Sequence, residues 1–293
     1  MIVAVGGGSP MDCGKAIGIV ASHHRDIEEF EGVDQVEYPI PPLVCIPTTA
    51  GSSADVSQFA IIADTTRRTK MAIVSKAVVP DAALIDPQTL TTLHPYQVAC
   101  TGMDALTHAI EAYVSTAHSP ITDLHALEAV RLVTLNLPGA VTQPLSLEHQ
   151  GPMMLASLEA GLAFSNAILG AVHAMAHSLG GYLDLPHGEC NAILLTGVVT
   201  FNYPACPERY DRVAEAMGIP LLGCDAVERS RLLAQKISEL RRTVGISPTV
   251  GRMGVKKSDI PRLAEFAMQD ACMATNPRMM TREDVEAIYE DIL

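Results

Sequence analysis

The chain has no tryptophan and only five phenylalanines in 293 residues, so its interior cannot be organised around large aromatic rings. What remains is an aliphatic core of Leu, Ile, Val, Ala and Met, which suits packing of helix on helix. A cysteine framework is missing too. Seven cysteines are scattered from Cys13 to Cys272 without a CxxC pair, which points to a reduced, cytoplasmic setting and away from disulfides or a thiolate zinc site. Cationic residues are the minority, 20 Lys and Arg against 33 Asp and Glu for a net charge of -13. That argues against nucleic acid or an anionic membrane surface as partner, because both need clustered positive charge. No signal peptide opens the sequence and no apolar run is long enough to span a bilayer.

What is there is 48% hydrophobic residues, enough for a large buried core and, at this length, for two domains. The opening stretch MIVAVGGGSPMDCGKAIGIVAS reads as strand, glycine turn and amphipathic helix, with Ser9 as helix cap and Pro10 in the first helical position. Glycines before a helix N-terminus are a ready anion site, although they also serve simply as tight turns. Residues 23–42 read as a polar, proline-rich loop. LVCIPTTAGSSADVS is a second buried strand entering a small-residue turn, where Thr48, Thr49, Ser52 and Ser53 offer hydroxyls at a strand's C-terminal end; a binding turn and a plain Ser/Thr surface loop both fit. QFAIIAD and RRTKMAIVS read as a hairpin or paired strands around a basic turn at Arg67, Arg68 and Lys70, and AALID as one more short strand. From about residue 90 long aliphatic helices take over, expected near 95–114, 119–136, 150–164, 167–180, 190–202, 207–217, 224–243, 258–271 and 281–291, with the domain boundary at about 92. The domain expectation is therefore 1–92 and 93–293.

GLAFSNAILGAVHAMAHSLGGYLDLPHG is the stretch with most chemistry in it. His173 and His177 are four apart and share a helix face, and the loop after Gly180 can fold His187 back toward them. Histidines gathered beside an apolar wall suit a divalent metal, with neutral imidazole as ligand; single histidines on apolar helices are also ordinary hydrogen-bonded core residues. GMDALTHAIEAYVS adds Asp104 and His108, again four apart. A buried aspartate is costly unless paired or coordinated, while Gly102 just upstream keeps a helix-cap role open. One carboxylate and three imidazoles can hold Fe²⁺ or Zn²⁺ with a position left for substrate.

GGGSPMD, PTTAG, the Lys70 segment, GMDALTHAIEAY, GAVHAMAHSLGG, PHG with CNAILL, and ATNPR follow one another in an order that resembles the iron-containing (group III) alcohol dehydrogenases over nearly the whole chain. The resemblance implies a partial Rossmann-like α/β portion with a parallel sheet, then an all-α domain, the architecture shared with dehydroquinate synthase, and an active site in the cleft between. It implies Asp104, His108, His173 and His187 as metal ligands, and Gly7, Gly8 and Ser9 as the pyrophosphate turn of NAD or NADP. Thr48, Thr49 and Ser52 become the second cofactor loop, Asp12 the cofactor-side acid, Lys70 a lysine reaching the cofactor, and His177 a histidine near the nicotinamide that could relay a proton. The activity implied is hydride transfer between a small primary alcohol, or its aldehyde, and NAD(P), in an enzyme that could form a homo-oligomer. The second loop departs from the family's TTAGTGSEVT, losing a glycine and carrying Asp55 in place of Glu. Family members also carry on the order of ninety further residues ahead of the GGGS strand, so the expectation is a chain shortened at its N-terminus, with an exposed sheet edge. A weakly active or inactive regulatory homologue of the same fold is the alternative expectation.

Overall fold

The computed structural model describes all residues of the chain except Arg68 and Pro248, so Arg68 of the expected basic turn lies outside the described residues. Strand β1 (Ile2–Gly6) pairs in parallel with β3 (Leu43–Pro47), Ile2 beside Leu43 through Gly6 beside Pro47. The short β6 (Ala82–Ala83) adds to the other side of β3, giving the order β1-β3-β6. Both long strands thus finish at the same end of the sheet, where Thr48 N donates to Gly6 O at 2.8 Å. The two small-residue turns emerge side by side, at the carboxyl end where open parallel sheets bind ligands. Gly6 makes its turn with φ 150°, and a Cβ there would lie 2.6 Å from Pro10 Cγ; only glycine fits.

Helix α1 (Gly8–His23) starts earlier than expected. Gly7 is its N-cap and no side chain caps it, so Ser9 does not have the capping role the sequence suggested. The glycine run lets the helix begin at Gly8, and Pro10 is tolerated within the first turn because its missing N–H would have had no partner there. The expected hairpin is present: β4 (Phe59–Asp64) runs antiparallel to β5 (Thr69–Val74). The 23–42 stretch is not wholly loop. It contains a short 3₁₀ turn, Ile27–Phe30, and β2 (Gly32–Val33), which pairs in parallel with β5 to give a second small sheet ordered β2-β5-β4. Phe30, fully buried with Ile19, Met71 and Ile73, anchors that excursion.

Beyond Pro95 the described residues are helical or looped. In order come α2 (Pro95–Val114), α3 (Pro120–Thr142), α4 (Leu147–Ala167), α5 (Ala171–Leu183), α6 (His187–Asn202), α7 (Pro207–Ala216), α8 (Ala226–Thr243), α9 (Ile260–Gln269) and α10 (Arg282–Asp291). Helix α3 runs past its expected end near 136 and through Pro138, because Leu137 and Ala140 continue its buried face. Helix α6 begins at His187, with Pro186 as its N-cap. Between α4 and α5 the chain turns by 100° at Ile168, whose φ of 62° and ψ of −166° is a strained conformation for a β-branched residue.

The packing divides where the element type changes. One large aliphatic cluster runs from Leu90 to Ile292 and takes in Ala50, while two small clusters serve the strands and α1. Val3 and Val5, alternate residues that share one face of β1, are 52% and 56% exposed. Among the described residues, no single helix is long and apolar enough to cross a membrane.

Candidate metal and cofactor site

Helix α2 carries Asp104, His108 and Glu111 on one face, all buried, because positions four and three apart lie one turn above another. Helix α5 brings His173 and His177 against that face, and the first residue of α6 brings His187. Asp104, His173 and His187 each offer a ligand atom, and the three atoms all lie within 4.8 Å of one another. His187 Nε2 lies 3.6 Å, and His173 Nε2 3.7 Å, from Asp104 Oδ1.

His108, the expected fourth ligand, stands beside this trio, with its ring against that of His173. Its ring is stacked between Phe164 and His173 at 4.4 Å centroid separation on each side. Its Nδ1 donates to Gly51 O at 3.1 Å, which leaves Nε2 as the nitrogen with a free lone pair. His173 is oriented in the same way: Nδ1 donates to Glu111 Oε2 at 2.5 Å, and Nε2 turns to Asp104. A carboxylate behind a histidine fixes its tautomer and makes it a better metal ligand.

Helix α5 begins at Gly170 without a side-chain cap of its own. Two distant residues take the first free amides: Asn276 Oδ1 accepts from Ala171 N at 3.2 Å, and Glu111 Oε1 from Val172 N at 2.7 Å. A Cβ on Gly170 would stand 2.9 Å from Glu111 Oε1 and 3.0 Å from Asn276 Oδ1. The glycine therefore lets both carbonyl-type oxygens reach the helix end that presents His173. Asn276 also exchanges hydrogen bonds with Asn202 at 2.8 and 2.9 Å, which explains the ATNPR segment as a structural clamp.

The electrostatics favour a cation. Burial pushes the Asp104 carboxyl up, but His108, His187 and His173 facing it outweigh burial and hold it far below the ordinary carboxylate range. Burial lowers His108 to about 3 against the pull of Asp104, and drives His187 well below its usual value. His173 goes the other way. Burial opposes its charge, but hydrogen bonds to Asp104 and Glu111 prevail and raise it to about 9. The carboxylates of Asp104 and Glu111 thus favour positive charge at His173, a charge that a divalent cation would supply. Asn191, one turn into α6, donates to Asp104 Oδ1 at 2.6 Å, while its own Oδ1 and the Nδ1 of His187 are buried without partners. The donor set of one carboxylate oxygen with imidazole nitrogens fits iron or zinc.

From this cluster a cleft of about 290 Å³ opens toward the paired turns, lined by Gly8, Ser9, Asp12, Thr49, Ser52 and Lys70 on one side and by His177, Phe164 and Leu169 on the other. Gly7 and Thr48 of the expected cofactor set do not line it; they lie one residue behind, in the backbone of the two turns. Ser53 is committed elsewhere, donating to Ser157 O of α4 at 2.6 Å. Lys70 Nζ reaches across to α5, 3.4 Å from where a methyl on Gly180 would sit. Asp12 Oδ2 accepts from Ile61 N at 3.2 Å, and burial raises its carboxyl to about 6, with Lys15 opposing. Lys15 itself is fully buried, donating to Ser57 O at 2.8 Å and Phe59 O at 2.6 Å, and so ties α1 to the hairpin.

Glu111, Asn191 and Asp270, partner of His177, were not singled out from the sequence. Glu111 was within reach, since it continues the Asp104–His108 face by three residues on a helix that is otherwise apolar there. Asn191 had only its spacing of four from His187, and Asp270 had no local signal.

Residues 1–87 match the iron-containing alcohol dehydrogenase family, and residues 98–293 match the C-terminal part of the Fe-containing alcohol dehydrogenase family. A 1,3-propanediol dehydrogenase of Klebsiella pneumoniae is 41% identical over 289 residues, 99% of this chain and 75% of that protein. An NAD-dependent methanol dehydrogenase of Bacillus methanolicus is 37% identical over 292 residues, 100% of this chain and 77% of that protein. The crystal structure of a 1,3-propanediol oxidoreductase superposes with a TM-score of 0.97 at 40% identity, covering 99% of this chain and 76% of the other.

Proposed function

Since the chain belongs to the iron-containing alcohol dehydrogenase family and is an alcohol–aldehyde oxidoreductase of that type, we propose that it moves hydride between a small primary alcohol and NAD, with Fe²⁺ held by Asp104, His173 and His187 and joined by His108. The observation that carries this reading is the convergence of the Asp104, His173 and His187 donor atoms at one end of a cleft whose other end is the paired glycine and threonine turns. When bound, the ion would supply a Lewis acid for an alcohol hydroxyl and the nicotinamide cofactor a hydride acceptor.

The chain's own residues do the rest. Gly7, Gly8 and Ser9, at the uncapped N-terminus of α1, offer backbone N–H groups to the pyrophosphate. Thr48, Thr49 and Ser52 bound the cofactor from the neighbouring turn, with Asp12 and Lys70 at its flank. Phe164 and Leu169 form the apolar wall that keeps water from the reacting carbon. His177 faces the cleft beside His187 and accepts a hydrogen bond from a hydroxyl there. Residues 1–92 supply the nucleotide side of the cleft and residues 93–293 the metal side.

The test is metal analysis of the purified protein together with absorbance at the NADH band on addition of short primary alcohols. Bound iron and alcohol-dependent NADH formation are expected. His187→Ala should lose the metal and turnover while keeping its helical circular dichroism; full activity in that variant would remove the site as drawn.

A further inference from the structure

His177 stands one turn beyond His173 on α5, with its ring stacked on His187 at 5.3 Å and 12° and its edge to His173 at 5.9 Å. Its Nδ1 lies 2.8 Å from Asp270 Oδ2, at the end of α9. The other oxygen of Asp270 accepts from Cys272 N at 2.8 Å and caps the turn Ala271–Thr275. Both oxygens are therefore committed, and the carboxylate cannot swing away. An aspartate accepts and does not donate, so Nδ1 must carry the hydrogen, and in the neutral ring the lone pair is on Nε2. Nε2 has no hydrogen-bond partner among the described residues, and His177 lines the cleft.

We propose that Asp270 is the positioning residue of this active site: it holds His177 as the Nδ1–H tautomer, so that Nε2 presents a fixed acceptor to a hydroxyl group bound in the cleft. The inference deepens the dehydrogenase reading and rests on it for the identity of that hydroxyl, an alcohol. The placement of the hydrogen rests on the geometry alone.

Asp270→Asn separates the idea from a merely structural role. The Cys272 N–H still needs an acceptor, so the asparagine oxygen stays with the turn and its NH₂ group faces His177. Nδ1 must then accept, and the hydrogen moves to Nε2, where it opposes a donor hydroxyl. In long-range ¹H–¹⁵N correlation spectra the native protein should show His177 protonated at Nδ1 and the variant at Nε2. Turnover should fall about 100-fold, with KM, bound metal and NADH affinity by fluorescence within twofold of native. In a His177→Ala background, Asp270→Asn should cause no further loss of kcat, because it acts only through that ring. An Nε2–H tautomer in the native protein overturns the proposal, as does a full additional loss in the His177→Ala background. If Asp270→Asn does not fold, the native spectrum alone decides the tautomer. If the native enzyme has the Nδ1–H tautomer but no alcohol-dependent activity, the functional reading fails while the placement of the hydrogen stands.

Discussion

Glu111 on α2 and His173 on α5 meet at 2.5 Å, with both side chains at or below 5% exposure. The same carboxylate accepts from Val172 N, so one residue orients a proposed ligand and caps the helix that carries it. In Glu111→Gln the amide oxygen can serve only one of the two donors, and His173 loses its charged partner. Metal affinity should drop about 10- to 100-fold, read by competition with a chelator of known affinity. Unchanged affinity would mean that the carboxylate has only a capping role.

Gly170→Ala places a methyl against Glu111 and Asn276 at 2.9 and 3.0 Å. Neither oxygen can retreat without abandoning an amide of α5. Thermal or urea unfolding should show a loss of about 1–3 kcal/mol. The metal should be held less tightly as well, since the displaced groups include the partner of His173.

Lys15→Met replaces a fully buried ammonium with an apolar side chain of similar length. The carbonyls of Ser57 and Phe59 lose their donor, and Asp12 loses the nearest positive charge. Removing one member of such a buried polar set costs about 3–5 kcal/mol. Urea midpoints at constant slope are the appropriate measure.

Asp12 gives the chain a pH dependence of defined sign. Burial raises its folded-state value from 3.8 to about 6, so the folded form holds the proton more tightly than the unfolded form. The stabilisation is complete below about pH 4 and disappears as pH climbs through 6, a change of about 3 kcal/mol. Asp12→Asn lacks this titration. The stability difference between native and Asp12→Asn, from denaturation at pH 4 through 8, should move in favour of the variant as pH rises and level off above 7. A difference independent of pH would contradict the assignment.

Much of this was legible in the sequence because it is local. Helical spacing alone put Asp104 over His108 and His173 over His177, and α2 spans the residues its periodicity indicated, 95–114. What the sequence hid was pairing across elements. Nothing near Asp270 marks it as the partner of a histidine 93 positions away, and nothing near Asn276 marks it as the cap of α5. Ser9 misled for the opposite reason. A good capping residue was present, but contiguous glycines let the helix start before it. The placement of His108 beside the ligand trio follows from ring stacking with Phe164, which a spacing rule does not contain.

The proposed ligand atoms come from α2 on one side and from α5 and the start of α6 on the other, elements separated in the chain by α3 and α4. An ion bound there is a removable cross-link closing a loop of some seventy residues, of the order of the span from Asp104 to His173. At a free concentration a hundred times its dissociation constant it would add about 2.7 kcal/mol to folding stability. If the site binds iron as proposed, chelation should therefore lower the melting temperature as well as abolish turnover.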